Sequence, residues 1–274
     1  MTARILMCPP DHYGIEYEIN PWMSRARPAD RKLAIEQWQN LRSHIESAGA
    51  QVELVPPIAG LPDLVFTANA AMIFGAKAIL AHFKNHERQG EEPFYEAALA
   101  KLGFEVIKPS PGTYFEGAGD ALFCGDTLFA GYQTRSDARG HQQIAELLGV
   151  RVIPLEMIDW YYYHLDTCFC PLTDGGAICY PGAFDDYGQR ALREAVPNLI
   201  EVKEEEARSF ACNAVVIGKK VITNTGCADL HEKLRARGYE PIETPLSEFV
   251  KAGGSAKCLT LRLDGEEAAT WKRV

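Results

Sequence analysis

The chain has 274 residues, 47% hydrophobic and 24% charged, enough to bury a substantial core and unlike the composition of a disordered protein. Its net charge of -9 is spread through mixed-sign segments, with only Glu204, Glu205 and Glu206 standing out as a solvated run. That balance argues against a nucleic-acid partner and slightly favours a small cationic substrate. No run approaches the roughly 18 apolar residues of a membrane span. The start "MTARILMCPPDHYG" lacks a signal-peptide pattern, so a cytoplasmic protein with no membrane partner is expected. Eight cysteines without a C-x-x-C pair are too sparse for a disulfide scaffold, and neither structural metal nor cofactor is expected.

In chain order, a first short strand is expected over Arg4 to Met7. Helical patterns follow at Arg31 to Gly49, Glu91 to Gly103, Ala138 to Gly149, Phe184 to Val196 and Cys227 to Gly238. They carry apolar residues three or four apart, and most end at a glycine suited to a left-handed cap. β-type runs such as "QVELVPP", "FEVIKPS" and "RVIPLEM" come after them. Between them lie four segments of one layout, a short polar residue followed by two alternating apolar strands around a turn: "ANAAMIFGAKAILAHF", "GDALFCGDTLFAGY", "LDTCFCPLTDGGAICYPGAF" and "CNAVVIGKKVITNT". Their leading residues Asn69, Asp120, Asp166 and Asn213 are spaced by 51, 46 and 47. A further step of 45 reaches Cys258, and 49 back from Asn69 lies Asn20.

A unit of this size cannot bury its apolar face alone, so about five similar units around an axis are expected, with the first strand completing the last. No linker divides the chain, so residues 1–274 read as a single domain. In a radial arrangement Asn20, Asn69, Asp120, Asp166, Asn213 and Cys258 converge on one cavity. Asp and Asn also initiate turns by bonding nearby backbone, and for Asn213 that reading is preferred.

His164 and Asp166, two apart, would point to one side of an extended strand. Glu116 precedes the glycines of "FEGAGD", and Asp63 lies in "LPDLVF". A cysteine nucleophile, a proton-shuttling histidine and several carboxylates suit attack on a guanidinium. Its planar fork of donors binds carboxylates, and its charge favours a thiolate.

Over nearly the whole chain, "LPDLVFTANA", "FEGAGD", "YYYHLD" and "GGSAKC", in that order, resemble the guanidino-group-modifying enzymes, the amidinotransferase or pentein superfamily. The resemblance implies an α/β fold, a five-bladed pseudo-symmetric α/β propeller, forming a single amidinotransferase-like catalytic domain. It implies Cys258 as nucleophile, His164 as general acid/base, and Glu116 and Asp166 as guanidinium-side carboxylates. Asp63, Asn69, Asn20 and Phe66 are expected to contact substrate, and Arg88 and Arg135 to bind its α-carboxylate. Many deiminases and dimethylarginine hydrolases carry Asp where this chain has Asn69, and with "EINPWM" and "FTANA" the chain is similar to arginine dihydrolases, which convert arginine to ornithine, carbon dioxide and two ammonia molecules. The alternatives are a dimethylarginine dimethylaminohydrolase, an arginine deiminase producing citrulline, or a noncatalytic binding ring of the same fold. The expected partner is a small guanidino molecule such as arginine; homo-oligomerisation is left open.

Overall fold

Each expected strand pair closes as an antiparallel hairpin, and a third strand adds parallel to its second member. The computed structural model describes residues 2–273. In the first blade Ala71–Phe74 pairs with Lys77–Leu80, and Glu105–Ile107 then lies parallel to the latter. The turn needs Gly75 at φ +58°, a conformation open to glycine without steric cost. A parallel neighbour cannot be reached by a tight turn, so the helix Glu92–Lys101 carries the chain back across the blade.

The same unit recurs as Ala121–Cys124, Thr127–Tyr132 and Arg151–Glu156; as Phe169–Pro171, Ala177–Cys179 and Leu199–Glu201; and as Val215–Ile217, Lys220–Thr223 and Glu240–Glu243. Arg4–Met7 completes the fifth blade, antiparallel to Leu261–Arg262 and parallel to Gln51–Leu54. The five three-stranded sheets make an α/β five-bladed propeller closed by its own N-terminal strand. Burial is radial: Ala121–Cys124 is wholly buried, while the third strands Gln51–Leu54 and Glu105–Ile107 are largely open to water.

The helices seal the outside by amphipathicity. Arg31–Ser47 starts at Asp30, whose carboxylate accepts from Leu33 N–H, and buries Ala34, Gln37, Trp38, Leu41 and Ile45 along one stripe. It stops two residues before the expected Gly49. The segment expected over Phe184 to Val196 is helical only over Asp186–Ala195, because Asp185 stays extended and caps Gly188 N–H. One core cluster contains Leu6, Leu80, Leu122, Phe169 and Val221, a residue from every blade. Glu206, expected on a solvated face, is instead buried, and its carboxylate accepts from Leu230 N–H at the start of Ala228–Ala236. Among the described residues no helix is long and apolar enough to cross a membrane.

Candidate active site

Immediately before the inner strand of each blade the backbone makes a single tight turn, and these turns carry the repeat-position residues. Three are 3₁₀ turns: Thr67–Ala70 contains Asn69, Gly117–Gly119 precedes Asp120, and Leu165–Thr167 contains Asp166. Asn213 and Cys258 lie in corresponding turns ahead of Val215–Ile217 and Leu261–Arg262. One residue differs in local conformation from expectation. His164 is extended but Asp166 is in the turn that follows, so the two side chains reach different partners instead of sharing one strand face.

Cys258 is 2% exposed. Its Sγ lies 3.4 and 3.7 Å from the Asp166 carboxylate oxygens and accepts from Asn213 Nδ2 at 3.1 Å. Asn213 Oδ1 accepts from Cys258 N–H at 3.1 Å, and Nδ2 also donates to Asp166 O at 3.0 Å. Burial, then the adjacent Asp166, push the thiol well above its ordinary value. Burial also raises the Asp166 carboxyl to about 7, against the opposing charge of Lys257. Two acids in contact cannot both ionise cheaply away from water, so this pair readily carries one negative charge between them.

His164 Nε2 is 2.7 Å from Glu116 Oε2, and Arg135 Nη1 donates to the same oxygen at 3.1 Å. Burial alone would raise the Glu116 carboxyl; the Arg135 guanidinium and His164 outweigh it and hold the group well below the usual carboxylate range. Glu116 is therefore a fixed anion that orients the imidazole. Its other oxygen accepts from Lys84 N–H at 3.2 Å, while Lys84 Nζ donates to Thr134 O at 2.7 Å and so holds the loop carrying Arg135. Arg135 also borders a cleft of about 490 Å³ with Ile19, Lys84, Met157 and Trp160.

The third wall is built around Arg88. Its Nε and Nη2 form a fork to Glu91 at 2.8 Å each, Nη1 donates to Asn69 Oδ1 at 2.8 Å, and Nη2 donates to Asp63 O at 3.2 Å. Most of its donors are thus committed within the protein. The amide of Asn69 is oriented by this contact: with Oδ1 facing Arg88, the buried Nδ2 points away and has no partner. Asp63 Oδ1 is likewise buried without a partner, and burial raises that carboxyl despite Arg88. Gly119 permits the approach, since a Cβ there would overlap Asn69 Nδ2 and meet His164 Cγ at 3.5 Å.

Ala68 N–H donates to Cys258 O at 3.1 Å, and a Cβ on Gly254 would lie 2.5 Å from the Phe66 ring and 3.3 Å from Cys258 Cβ. Phe66 and Ala68 therefore adjoin Cys258. Asn20 is buried near Gly253, but its oxygen accepts from Trp22 and Met23 N–H and its amide donates to Ala252 O, so its visible role is to tie two loops together. Asp120 accepts from Ser136 Oγ and Leu165 N–H as a strut between blades. Among the described residues, no group of three or more His, Cys, Asp or Glu could hold a metal ion.

Sequence reasoning named Asn213 but preferred a turn-initiating role for it, and it passed over Glu91 and Lys84. Asn213 had a signal in its repeat position. Glu91 and Lys84 had none, because their pairing with Arg88 and Glu116 depends on the tertiary fold.

Residues 18–264 match the family model described as "N,N dimethylarginine dimethylhydrolase, eukaryotic". The chain is 48% identical over 265 residues to the bifunctional arginine dihydrolase/ornithine cyclodeaminase ArgZ of Synechocystis, covering 95% of this chain and 37% of that protein. It is 38% identical over 262 residues to an N(G),N(G)-dimethylarginine dimethylaminohydrolase of Mycobacterium tuberculosis, covering 96% and 86%. Its backbone superposes with a TM-score of 0.93, at 47% identity, on a crystal structure of a variant ArgZ N-terminal domain covalently bound to a reaction intermediate, covering 95% of this chain and 97% of that one.

Proposed function

This chain belongs to the dimethylarginine dimethylaminohydrolase family of guanidino-group-modifying enzymes, and from that membership we propose that it is an arginine dihydrolase acting through Cys258. The proposed domain is the single catalytic unit 1–274, in a cytoplasmic setting compatible with eight free thiols. The likeness to ArgZ supports the substrate, although the chain spans little more than a third of that relative's length.

In the proposed reaction the Cys258 thiolate attacks the guanidinium carbon while Asp166 holds the thiol proton, and Glu116 and Asp63 receive guanidinium N–H groups. His164 protonates the departing nitrogen, which leaves as ammonia. It then takes a proton from water, which attacks the S-linked amidino carbon and releases the thiolate. The product of this first cycle is a ureido group. In a second cycle the thiolate attacks the ureido carbon, ammonia leaves, and water converts the S-linked carbamoyl group to a carbamate that loses carbon dioxide to give ornithine. Two waters are consumed and two ammonia molecules released for each arginine. Arg135 and Arg88 are the proposed α-carboxylate partners; Arg135 keeps more uncommitted donors, since Arg88 is forked to Glu91.

The observation that carries the dihydrolase reading is the unpartnered Asn69 Nδ2, turned inward by Arg88. A guanidinium offers only donors, so this amide gains nothing from it. A ureido oxygen or an attacking water accepts, so the amide favours the second cycle. Asn69→Asp replaces that donor with an acceptor. Ornithine should give way to citrulline, with arginine consumption less affected. Unchanged ornithine yield would defeat this reading. The M. tuberculosis relative favours a second reading, release of dimethylamine from dimethylarginine, which the same product analysis with dimethylarginine as substrate tests.

A further inference from the structure

We propose that Asn213 is a thiolate-stabilising residue, donating from its side-chain amide to Cys258 Sγ so that the sulfur can ionise inside the protein. This rests on the reading of Cys258 as nucleophile. Three contacts fix the amide: one Nδ2 proton goes to Asp166 O at 3.0 Å, the other to Sγ at 3.1 Å, and Oδ1 receives Cys258 N–H at 3.1 Å. The flipped amide would set oxygen against the Asp166 carbonyl and an N–H against an N–H, so the donor faces sulfur by necessity. Asn213 is 0% exposed, which removes water as a competitor for that proton.

The need for such a donor follows from the charges around the sulfur. Asp166 touches it from the Leu165–Thr167 turn and disfavours a second negative charge. Lys257, next in the chain, is paired with Glu266 at 2.9 Å. The Tyr163 hydroxyl donates to Gly253 O, and Cys168 and Cys170 beside Asp166 are buried thiols. His164 is engaged by Glu116. Besides Asn213, the Ser255 backbone eases ionisation of Cys258 by hydrogen bonding. Hydrogen bonds to a charged atom are the stronger class, so deleting one from a buried thiolate is felt directly in its titration.

The test is the pH dependence of Cys258 alkylation by iodoacetamide, read peptide by peptide by mass spectrometry in the wild-type chain, Asn213→Ala and Asn213→Asp. Asn213→Asp keeps an acceptor for Cys258 N–H while losing the donor and adding a charge; Asn213→Ala loses both contacts. The midpoint should rise by about one pH unit in Asn213→Ala, which is about tenfold slower alkylation below it, and further in Asn213→Asp, with plateau rates at high pH little changed. A merely positioning residue gives a lowered plateau without a midpoint shift in Asn213→Ala, whatever the added charge does in Asn213→Asp. That result overturns the proposal, as does failure of both variants to fold. A wild-type Cys258 that resists alkylation at every pH overturns the nucleophile reading along with it.

Discussion

At the scale of single residues, the site contains a thiol that burial keeps protonated, beside a carboxyl that burial raises to about 7, together with a carboxylate that stays ionised. A bound cation would stabilise the one negative charge that Cys258 and Asp166 share, so on the proposed reading the thiolate forms when substrate binds. Cys258→Ser keeps the shape and the Asn213 contacts, and should melt near wild type while losing about ten-thousandfold or more of turnover, because an unactivated hydroxyl does not replace a thiolate. Thermal melting and an ammonia assay check it; near-normal activity would remove Cys258 from the chemistry. His164→Ala leaves the thiol in place but removes the proton shuttle, worth about a hundred- to ten-thousandfold. Any residual first step should then leave an amidino adduct on Cys258, visible in the intact mass after arginine exposure. Wild-type turnover in that variant would exclude the shuttle. Repeat spacing placed Asp166 and Cys258 at one cavity, while His164 and Glu116 were singled out by residue type and by the family resemblance. Asn213 was misjudged, because an Asn that caps a turn and an Asn that donates to a sulfur look alike in a string.

At the scale of elements, the working parts sit on short turns between a loop and an inner strand, whose backbone is fixed by the strand pairing beyond. Glycines set how closely these turns approach. Gly119→Ala puts a methyl where Asn69 Nδ2 now lies, so it should displace that amide and lower ornithine formation more than it lowers stability, read by product ratio against melting temperature. The short helix His86–Gln89 presents Arg88 to Glu91, an ion pair with side chains 3% and 0% exposed. Glu91→Gln leaves that guanidinium buried without its counter-ion and should cost about 3–5 kcal/mol in chemical denaturation. A loss under about 1 kcal/mol would show the pair is not a structural anchor. Hairpin turns and helix stops were legible because their glycines adopt positive φ, as at Gly75 and Gly149. The 3₁₀ turns were not, since three-residue turns carry no periodicity and "HLDT" reads equally well as a strand.

At the scale of the molecule, repeat spacing made the ring readable before any contact was known, including the return of Arg4–Met7 to complete the last blade. What it could not foresee is how blades are tied through buried acids. Asp120, leading its blade, receives Leu165 N–H from the next blade at 3.1 Å, and burial raises its carboxyl to about 6 despite His164 and Ser136. A carboxyl held above its unfolded value of about 3.9 contributes stability that is complete below about pH 4 and lost as pH rises to about 6. Asp120→Asn, which retains an acceptor for Leu165, should flatten that part of the melting-temperature curve. Parallel curves for the two proteins would contradict the assignment. The arrangement of these groups around one buried cysteine leads to the central claim that the site works twice on the same carbon. Its most direct test is the stoichiometry of L-arginine consumption by the wild-type chain, with ornithine, citrulline and ammonia quantified together over time. Two ammonia and one ornithine per arginine, without citrulline as an end product, is the expected result; one ammonia and accumulating citrulline, or arginine left unconsumed, would contradict it.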